Sequence, residues 1–281
     1  MSERRFNIGD VILGGFKICG DRWKPLLKVT ALTVLPAAIF GALLIATYTP
    51  DVLLDVMSDP TMDPEATDAA VRAISSSEWV NLGVAFAVYL LVVTVANVIA
   101  LNGCLHISLR HHEGSEMSHS DALRAGLSKM WPMLWLVLLS GFLTLLGLLF
   151  LILPGIWLFV SWSVAPVILL REGAGGTKAL RRSFGMVRSA FWPVLGVLVL
   201  EFACLFVLQA ITGVFPNVFL PSAAEANSFA VFFSLSVGGA LVGLFAVALH
   251  AAISTELYFA LTRPETANPL PPPYPSGGPE S

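Results

Sequence analysis

The chain has 281 residues, of which 56% are hydrophobic and only 12% are charged, and its formal net charge at pH 7 is −3. Soluble domains carry about 25% charged residues, so this composition excludes a soluble globular protein, and its charge balance gives no reason to expect nucleic acid as a partner. A mean hydropathy of +0.78 and charge-free runs longer than the roughly 20 residues that cross a bilayer predict an all-α, multi-pass membrane protein.

Six membrane spans are predicted in chain order, near residues 29–48, 79–101, 132–152, 156–170, 193–214 and 228–250. The charge-free stretch 130–170 would be about 61 Å long as one helix, so it must fold back on itself. We expect the sequence LPG at 153–155 to make that reversal, because proline ends a helix and glycine permits a tight turn. The later apolar run is expected to divide at 215–227.

The distribution of basic residues predicts the orientation of the spans. All sixteen Lys and Arg except Arg72 fall before the first span, after the last span, or in the loops that follow the second and fourth spans. By the positive-inside rule both termini are predicted to be cytoplasmic. The opposite loop, 49–78, is rich in Asp and Glu without the spacing of a calcium site, and we expect it to be solvated.

A threefold internal repeat is predicted from three short motifs in which proline follows tryptophan, directly in the second and third copies and after one residue in the first, WKP. They are called Trp-Pro motifs here. Each motif follows an amphipathic segment and precedes an apolar run. The amphipathic segments are 8–20, 118–130 and 175–190, the tryptophans are Trp23, Trp131 and Trp192, and the repeats extend over about 7–110, 117–171 and 174–263. The repeats make up one membrane domain, 1–263, followed by a Pro-rich tail, 264–281, that we expect to be disordered.

Physical chemistry accounts for this layout. An amphipathic helix with basic residues on its polar face lies in the membrane interface, and tryptophan prefers the level of the lipid headgroups. Proline is tolerated in the first turn of the next helix, where its missing N–H is not needed. Each Trp-Pro motif is therefore predicted to be a corner and each Trp an interfacial anchor. The residues predicted to face the headgroups are Lys178, Arg181, Arg182 and Arg188.

Three stretches carry a resemblance to a known group. FNIGDVILGGFKICGDRWKPLL, LPGIWLFVSWSVAPVILLREGAGGTKALRRSFGMVRSAFWPVLG and ELYFALTR resemble a bacterial membrane domain found alone or fused to glycerophosphoryl diester phosphodiesterases. The resemblance extends over residues 6–263, although Phe259-Ala260 stands where that domain tends to carry an acidic residue. In the fused proteins catalysis belongs to a separate soluble barrel of about 250 residues. No such length is left over here, so we expect no enzyme activity.

Glu201 is the candidate functional residue inside the membrane. It lies nine residues past Trp192, about 13 Å along a helix. A carboxylate at that depth costs about 2.5–3.5 kcal/mol on insertion scales, so it should face protein or water. It either relays protons or cations, or is a neutral carboxyl that hydrogen-bonds a neighbouring helix.

Other polar residues near the ends of the second and sixth spans are interpreted as a cluster at the inner interface. They are Asn102, His106, His250 and Glu256. His250 and Glu256 are six residues apart and do not share a helix face, which argues against a metal site. We expect neither a metal nor another cofactor.

Two functions remain open, since no nucleophile–base or metal pairing indicates an intramembrane enzyme. The first is a non-enzymatic membrane module that contacts anionic lipid headgroups and docks or organises envelope or lipid-handling proteins, with an unidentified protein partner. The second is a transporter of a small solute or lipid that uses Glu201, because transporters built from repeats bind substrate near the bilayer midplane.

Overall fold

The computed structural model describes residues 7–50, 52–53, 56, 63–219 and 228–263, without the side chains of 212–219 and 228–238. The Pro-rich tail lies outside the described residues. No strand occurs among the residues described. In chain order the helices are α1 (Ile8–Asp21), α2 (Trp23–Tyr48), α3 (Pro64–Ala73), α4 (Ser76–His112), α5 (His119–Ser128), α6 (Met130–Phe150), α7 (Ile152–Ser161), α8 (Ala165–Glu172), α9 (Gly176–Val187), α10 (Phe191–Phe219) and α11 (Ser228–Thr262).

The all-helical membrane architecture is confirmed. Within the described residues, six helical segments are long and apolar enough to cross a bilayer: Trp23–Tyr48, Ser76–His112, Met130–Phe150, Ile152–Glu172, Gly176–Ile211 and Gly239–Thr262. The fourth segment is two helices, since α7 ends at Ser161 and α8 begins at Ala165. The fifth joins α9, a 3-10 turn (Arg188–Ala190) and α10, and only α10 is free of Lys and Arg.

The chain reverses between α6 and α7 at Leu151, and not at the predicted LPG of residues 153–155. Leu151 is extended (φ −159°, ψ 127°), while Pro154 and Gly155 lie in the first turn of α7. Gly155 instead permits close helix packing, because a Cβ there would lie 2.6 Å from the backbone nitrogen of Leu148. The expectation failed because proline fits the first turn of a helix as well as it ends one.

All three predicted amphipathic segments are helical, as α1, α5 and α9, and each is followed by a long helix with Trp in its first turn. Between α9 and α10 the chain must bend sharply. Ser183 of α9 donates a hydrogen bond to the carbonyl of Ser161, and the ring of Phe202 on α10 lies 5.8 Å from that of Phe159. In one straight helix Ser183 and Phe202 would be about 28 Å apart. Their partners Ser161 and Phe159 are only two residues apart on α7, so the chain between α9 and α10 cannot be straight.

The central layer is formed by α2, α4 and α11, which pack against one another. α1 lies against α11, where a Cβ on Gly15 would come within 2.6 Å of Ile253. Buried apolar side chains of α8, α9 and α10, such as Ile168, Val187 and Val194, complete the core. This packing brings the ends of several helices together at one end of the molecule.

That end carries a network of ion pairs and is called here the charged end of the bundle. Its pairs are Arg22 with Glu116 (2.7 Å), Arg171 with Glu113 (3.9 Å) and Arg182 with Glu172 (2.5 Å). The hydroxyl of Tyr258 also donates to Glu172.

The described part of the acidic loop includes α3, which has no buried residue. The loop ends in a capping box, in which Ser75 and Glu78 bond each other's backbone N–H at the start of α4.

Candidate functional site

A carboxyl group and an imidazole meet between two membrane-spanning segments. Oε1 of Glu201 on α10 lies 2.8 Å from Nδ1 of His250 on α11. The side chain of Glu201 is 5% exposed and that of His250 33% exposed. The pair therefore joins α10 to α11 by a polar contact within two helical segments that are otherwise strongly apolar.

The other polar atoms of this pair have limited contacts. Oγ of Ser254 lies 3.5 Å from Nε2 of His250, at the limit of a hydrogen bond. Oε2 of Glu201 is buried and has no hydrogen-bond partner among the described residues. Glu201 can therefore accept a further hydrogen bond or carry a proton at Oε2 while Oε1 remains bound to the imidazole. Such an arrangement suits either a structural contact or a proton-exchanging group.

His250 was grouped in the sequence with Glu256 at the inner interface, and the structure instead places its imidazole beside Glu201. α11 continues for twelve residues past His250 to Thr262, about 18 Å. Because α11 is much longer than a bilayer is thick, its apolar sequence alone does not indicate which of its residues meets Glu201.

A second carboxyl–imidazole pair lies at the charged end of the bundle. Oε1 of Glu256 on α11 is 2.9 Å from Nε2 of His112 on α4. The rings of His112 and Phe259 are 4.2 Å apart. α1 covers the pair at Gly14, where a Cβ would lie 2.7 Å from Cδ of Glu256. Glycine at this position thus lets three helices meet around one carboxylate.

The predicted interfacial cluster is divided among separate contacts. His250 and Glu256 belong to the two different pairs just described. Nδ2 of Asn102 donates to the carbonyl of Gly126, which joins α4 to α5. Oδ1 of Asn102 and Nε2 of His106 are buried without a hydrogen-bond partner among the described residues. Asn102, His250 and Glu256 therefore join neighbouring helices at different places, and His106 makes no hydrogen bond at Nε2 to the other three.

The predicted interfacial tryptophans are exposed in the first turns of α2, α6 and α10. Trp23 is 56% exposed, Trp131 73% and Trp192 76%. Large exposed aromatic rings at helix starts are typical of membrane–water interfaces, where the indole meets both lipid and water. Their exposure leaves them free to contact lipid.

Three of the predicted headgroup-facing residues lie on the outer face of α9, and the fourth, Arg188, begins the 3-10 turn directly after it. Its inner face, including Leu180, Ser183 and Val187, is buried. A depression of about 490 Å³ lies on the outer face, and its lining residues are Lys178, Arg181, Arg182, Gly185, Met186 and Ser189. Arg182 is bound to Glu172, whereas Lys178, Arg181 and Arg188 make no ion pair with any residue that the structure describes. The outer face of α9, defined by these basic residues, is therefore an electropositive surface.

No group of three or more His, Cys, Asp and Glu that could hold a metal ion occurs in the described part of the chain. The three cysteines, Cys19, Cys104 and Cys204, are free thiols. The two carboxyl–imidazole pairs and the outer face of α9 are thus the chemically distinctive features of the described residues.

Comparison with known sequences identifies the family. The profile of the uncharacterised protein family UPF0259 matches residues 24–233, which is most of the chain. The chain belongs to this family. A similar protein is a UPF0259 membrane protein of Pectobacterium carotovorum subsp. carotovorum (strain PC1), 29% identical over 119 residues, or 41% of this chain and 48% of that relative. The chain thus covers about half the length of that relative. No solved structure matches the chain.

The family match includes some of the candidate features and leaves others outside. Residues 24–233 contain Glu201 and the whole of α9, but not α1, His250 or Glu256. The outer face of α9 therefore lies wholly inside the matched part, whereas each carboxyl–imidazole pair has at least one member beyond it.

Proposed function

We propose that this protein is a non-enzymatic module of the bacterial cytoplasmic membrane that binds anionic lipid headgroups and docks or organises envelope or lipid-handling proteins. The observation that carries the proposal is the outer face of α9, which exposes Lys178, Arg181 and Arg188 while the opposite face of the same helix is packed into the bundle. We infer that a helix fixed in this way lies along the cytoplasmic surface of the membrane and presents its cations to the lipid headgroups.

The electrostatics favour an anionic ligand. Each Lys or Arg near an anionic membrane surface contributes about 1 kcal/mol of binding. The three unpaired cations lie within eleven residues, or about 15 Å of helix, next to the exposed indole of Trp192. Phosphate oxygens of lipid headgroups match both the charge and the level of this surface.

The proposed orientation places the outer face of α9 and both termini in the cytoplasm. The positive-inside bias of the loops supports it, because all Lys and Arg but Arg72 fall on one side of the predicted spans. Membership of a membrane family is consistent with it. The resemblance to a domain fused to phosphodiesterases supports a docking role, since there the membrane part accompanies a separate catalytic domain. The protein partner is unidentified.

The headgroup proposal is tested with purified protein and nanodiscs of phosphatidylglycerol or phosphatidylcholine. We expect the variant Lys178→Gln/Arg181→Gln/Arg188→Gln to lose most of the preference for phosphatidylglycerol, measured by competition for native lipid in mass spectrometry. The charge-matched control Lys24→Gln/Lys28→Gln/Arg124→Gln removes the same charge elsewhere. Equal losses in both variants, or none in either, would contradict a specific role for α9.

A second candidate function is transport of a proton or small cation through Glu201. The specific observation in its favour is that Glu201 is buried, has an imidazole partner, and keeps Oε2 free of a described partner. A carboxyl group that changes its protonation while remaining held by His250 is suited to a proton-coupled step.

Transport is tested in proteoliposomes loaded with a pH-sensitive dye under a potassium diffusion potential. If Glu201 carries the proton, Glu201→Gln should reduce the flux to the level of empty vesicles while insertion and folding are retained. Glu256→Gln is the matched control, because it makes the same change in the other carboxyl–imidazole pair. Wild-type flux no higher than that of empty vesicles would remove this second candidate.

A further inference from the structure

The hairpin formed by α6 and α7 has an unusual construction. Leu151 is the one residue that connects the two helices. The helices touch through glycines near the tip, where a Cβ on Gly147 would lie 3.0 Å from Cα of Gly155. The whole stretch from 130 to 170 contains no charged residue. The tip is therefore built entirely for an apolar environment.

The hairpin also projects from the rest of the bundle. Between Leu138 and Phe159, the one buried residue is Gly155, and it packs within the hairpin itself. Exposure is highest at the tip, at 79% for Phe150 and 79% for Leu153. Apolar side chains thus face outward on all sides, which indicates that lipid acyl chains surround the hairpin.

α9 runs alongside this hairpin. A Cβ on Gly176, at the start of α9, would lie 3.3 Å from Trp135 of α6. One turn before the end of α9, Ser183 bonds the carbonyl of Ser161, and the ring of Phe184 packs edge-on against Trp157, with 4.7 Å between centroids. The start of α9 therefore contacts α6 and its last turns contact α7.

The position of α9 limits how deep the hairpin can reach. Exposed cations occur on α9, from Lys178 to Arg182, and at Arg188 directly after it, so we infer that the helix lies at the level of the headgroups. Packed helix axes are about 8–10 Å apart. The tip residue Leu151 is six residues from Trp157, at most about 9 Å further along α7. Even with both distances along the bilayer normal, the tip lies within about 20 Å of α9. The headgroup layer takes up at least about 5 Å of that distance, so the tip reaches at most about 15 Å into the hydrocarbon, which is the depth of one leaflet.

We propose that the α6–α7 hairpin does not cross the bilayer but enters one leaflet from the side on which α9 lies, so that its tip ends among acyl chains. The partner of this surface is the hydrocarbon of that single leaflet. Such a wedge adds volume to one leaflet, and it fits best where lipid packing is loose. Four of the six candidate segments then cross completely. The inference rests on the interfacial position of α9 used in the proposed function.

The experiment measures depth along the hairpin. Nitroxide labels are placed singly at Leu138→Cys, Leu145→Cys and Leu151→Cys, all at lipid-exposed positions, in a variant whose native cysteines are alanine. The ratio of accessibility to oxygen and to a nickel complex rises with depth. We expect this ratio to increase, or to stay at its maximum, from 138 to 151. Labels at Val80 and Leu91 of α4 are the control, with 80 shallow and 91 deep.

A crossing hairpin would give a different gradient, in which the ratio peaks near 145 and falls at 151. That result would overturn the inference, and so would modification of Leu151→Cys by a membrane-impermeant maleimide from either side of the vesicle. The two proposals fail separately. Equal losses of headgroup preference in the α9 variant and its control, together with a deep tip, would remove only the proposed function. A crossing gradient, together with a loss of preference confined to the α9 variant, would remove only the one-leaflet hairpin.

Discussion

Two carboxyl–imidazole pairs each include one residue of α11 and one residue of another helix. Their contact distances are nearly the same, but their surroundings differ. Glu201 and His250 are 2.8 Å apart, and Glu256 and His112 are 2.9 Å apart. The first joins α10 to α11 inside the membrane-spanning part. The second joins α4 to α11 at the charged end of the bundle, beneath α1. Because the two contact lengths are nearly equal, we expect the surroundings to decide how much each pair contributes to stability.

The largest expected effect is on the pair inside the membrane. His250→Leu leaves Glu201 buried without its imidazole, and the free energy of unfolding should fall by about 3 kcal/mol. Titration with sodium dodecyl sulfate in detergent micelles measures this change. The double variant Glu201→Leu/His250→Leu should recover most of the loss, because it removes both polar partners together. A double variant less stable than His250→Leu would contradict this account.

A smaller effect is expected where α1 covers the second pair. Gly14→Ala places a methyl group 2.7 Å from Cδ of Glu256, and the displacement should lower stability by about 1–2 kcal/mol. Gly20→Ala is the matched control on the same helix, because a Cβ there meets no atom within 4 Å. The control should be neutral or slightly stabilising, since alanine favours helix more than glycine does.

The corresponding change in the second pair should be milder still. His112→Leu leaves Glu256 at the charged end, where its side chain is 17% exposed and water reduces the penalty, and we expect the free energy of unfolding to fall by about 1 kcal/mol. The same detergent titration gives the comparison with His250→Leu. Equal losses for the two variants would mean that depth in the membrane has no influence on these pairs.

The smallest effect concerns Cys19 on α1. Burial raises the pKa of its thiol to about 11, so little thiolate is present at pH 8 and alkylation is slow, becoming faster as the pH approaches 11. Gly14→Ala should loosen α1 and accelerate alkylation at pH 8 by roughly fivefold, the change that about 1 kcal/mol produces. Glu201→Gln, remote from α1 in sequence, should leave the rate unchanged. Mass spectrometry of the intact Cys104→Ala/Cys204→Ala protein measures the rate.

Local sequence determined the class of protein and most of its helices. Apolar runs longer than a bilayer is thick predict spans wherever they occur, and Trp-Pro at the start of α6 and α10 marks a helix start through the fixed backbone angle of proline. The amphipathic pattern predicted α1, α5 and α9 for the same reason, since it depends on neighbours within a few turns. The threefold repeat and the cytoplasmic position of the termini stay predictions.

Only the tertiary structure decided which polar groups meet. Glu201 was recognisable as a buried carboxyl, but its partner His250 lies 49 residues away on a helix that extends well past the expected boundary. Glu256 meets His112 across 144 residues of sequence, and Gly155 serves packing where a turn was expected. Such contacts depend on how helices cross and on how long each one continues, and those distances are set by packing across the whole bundle and not by any local pattern of residues.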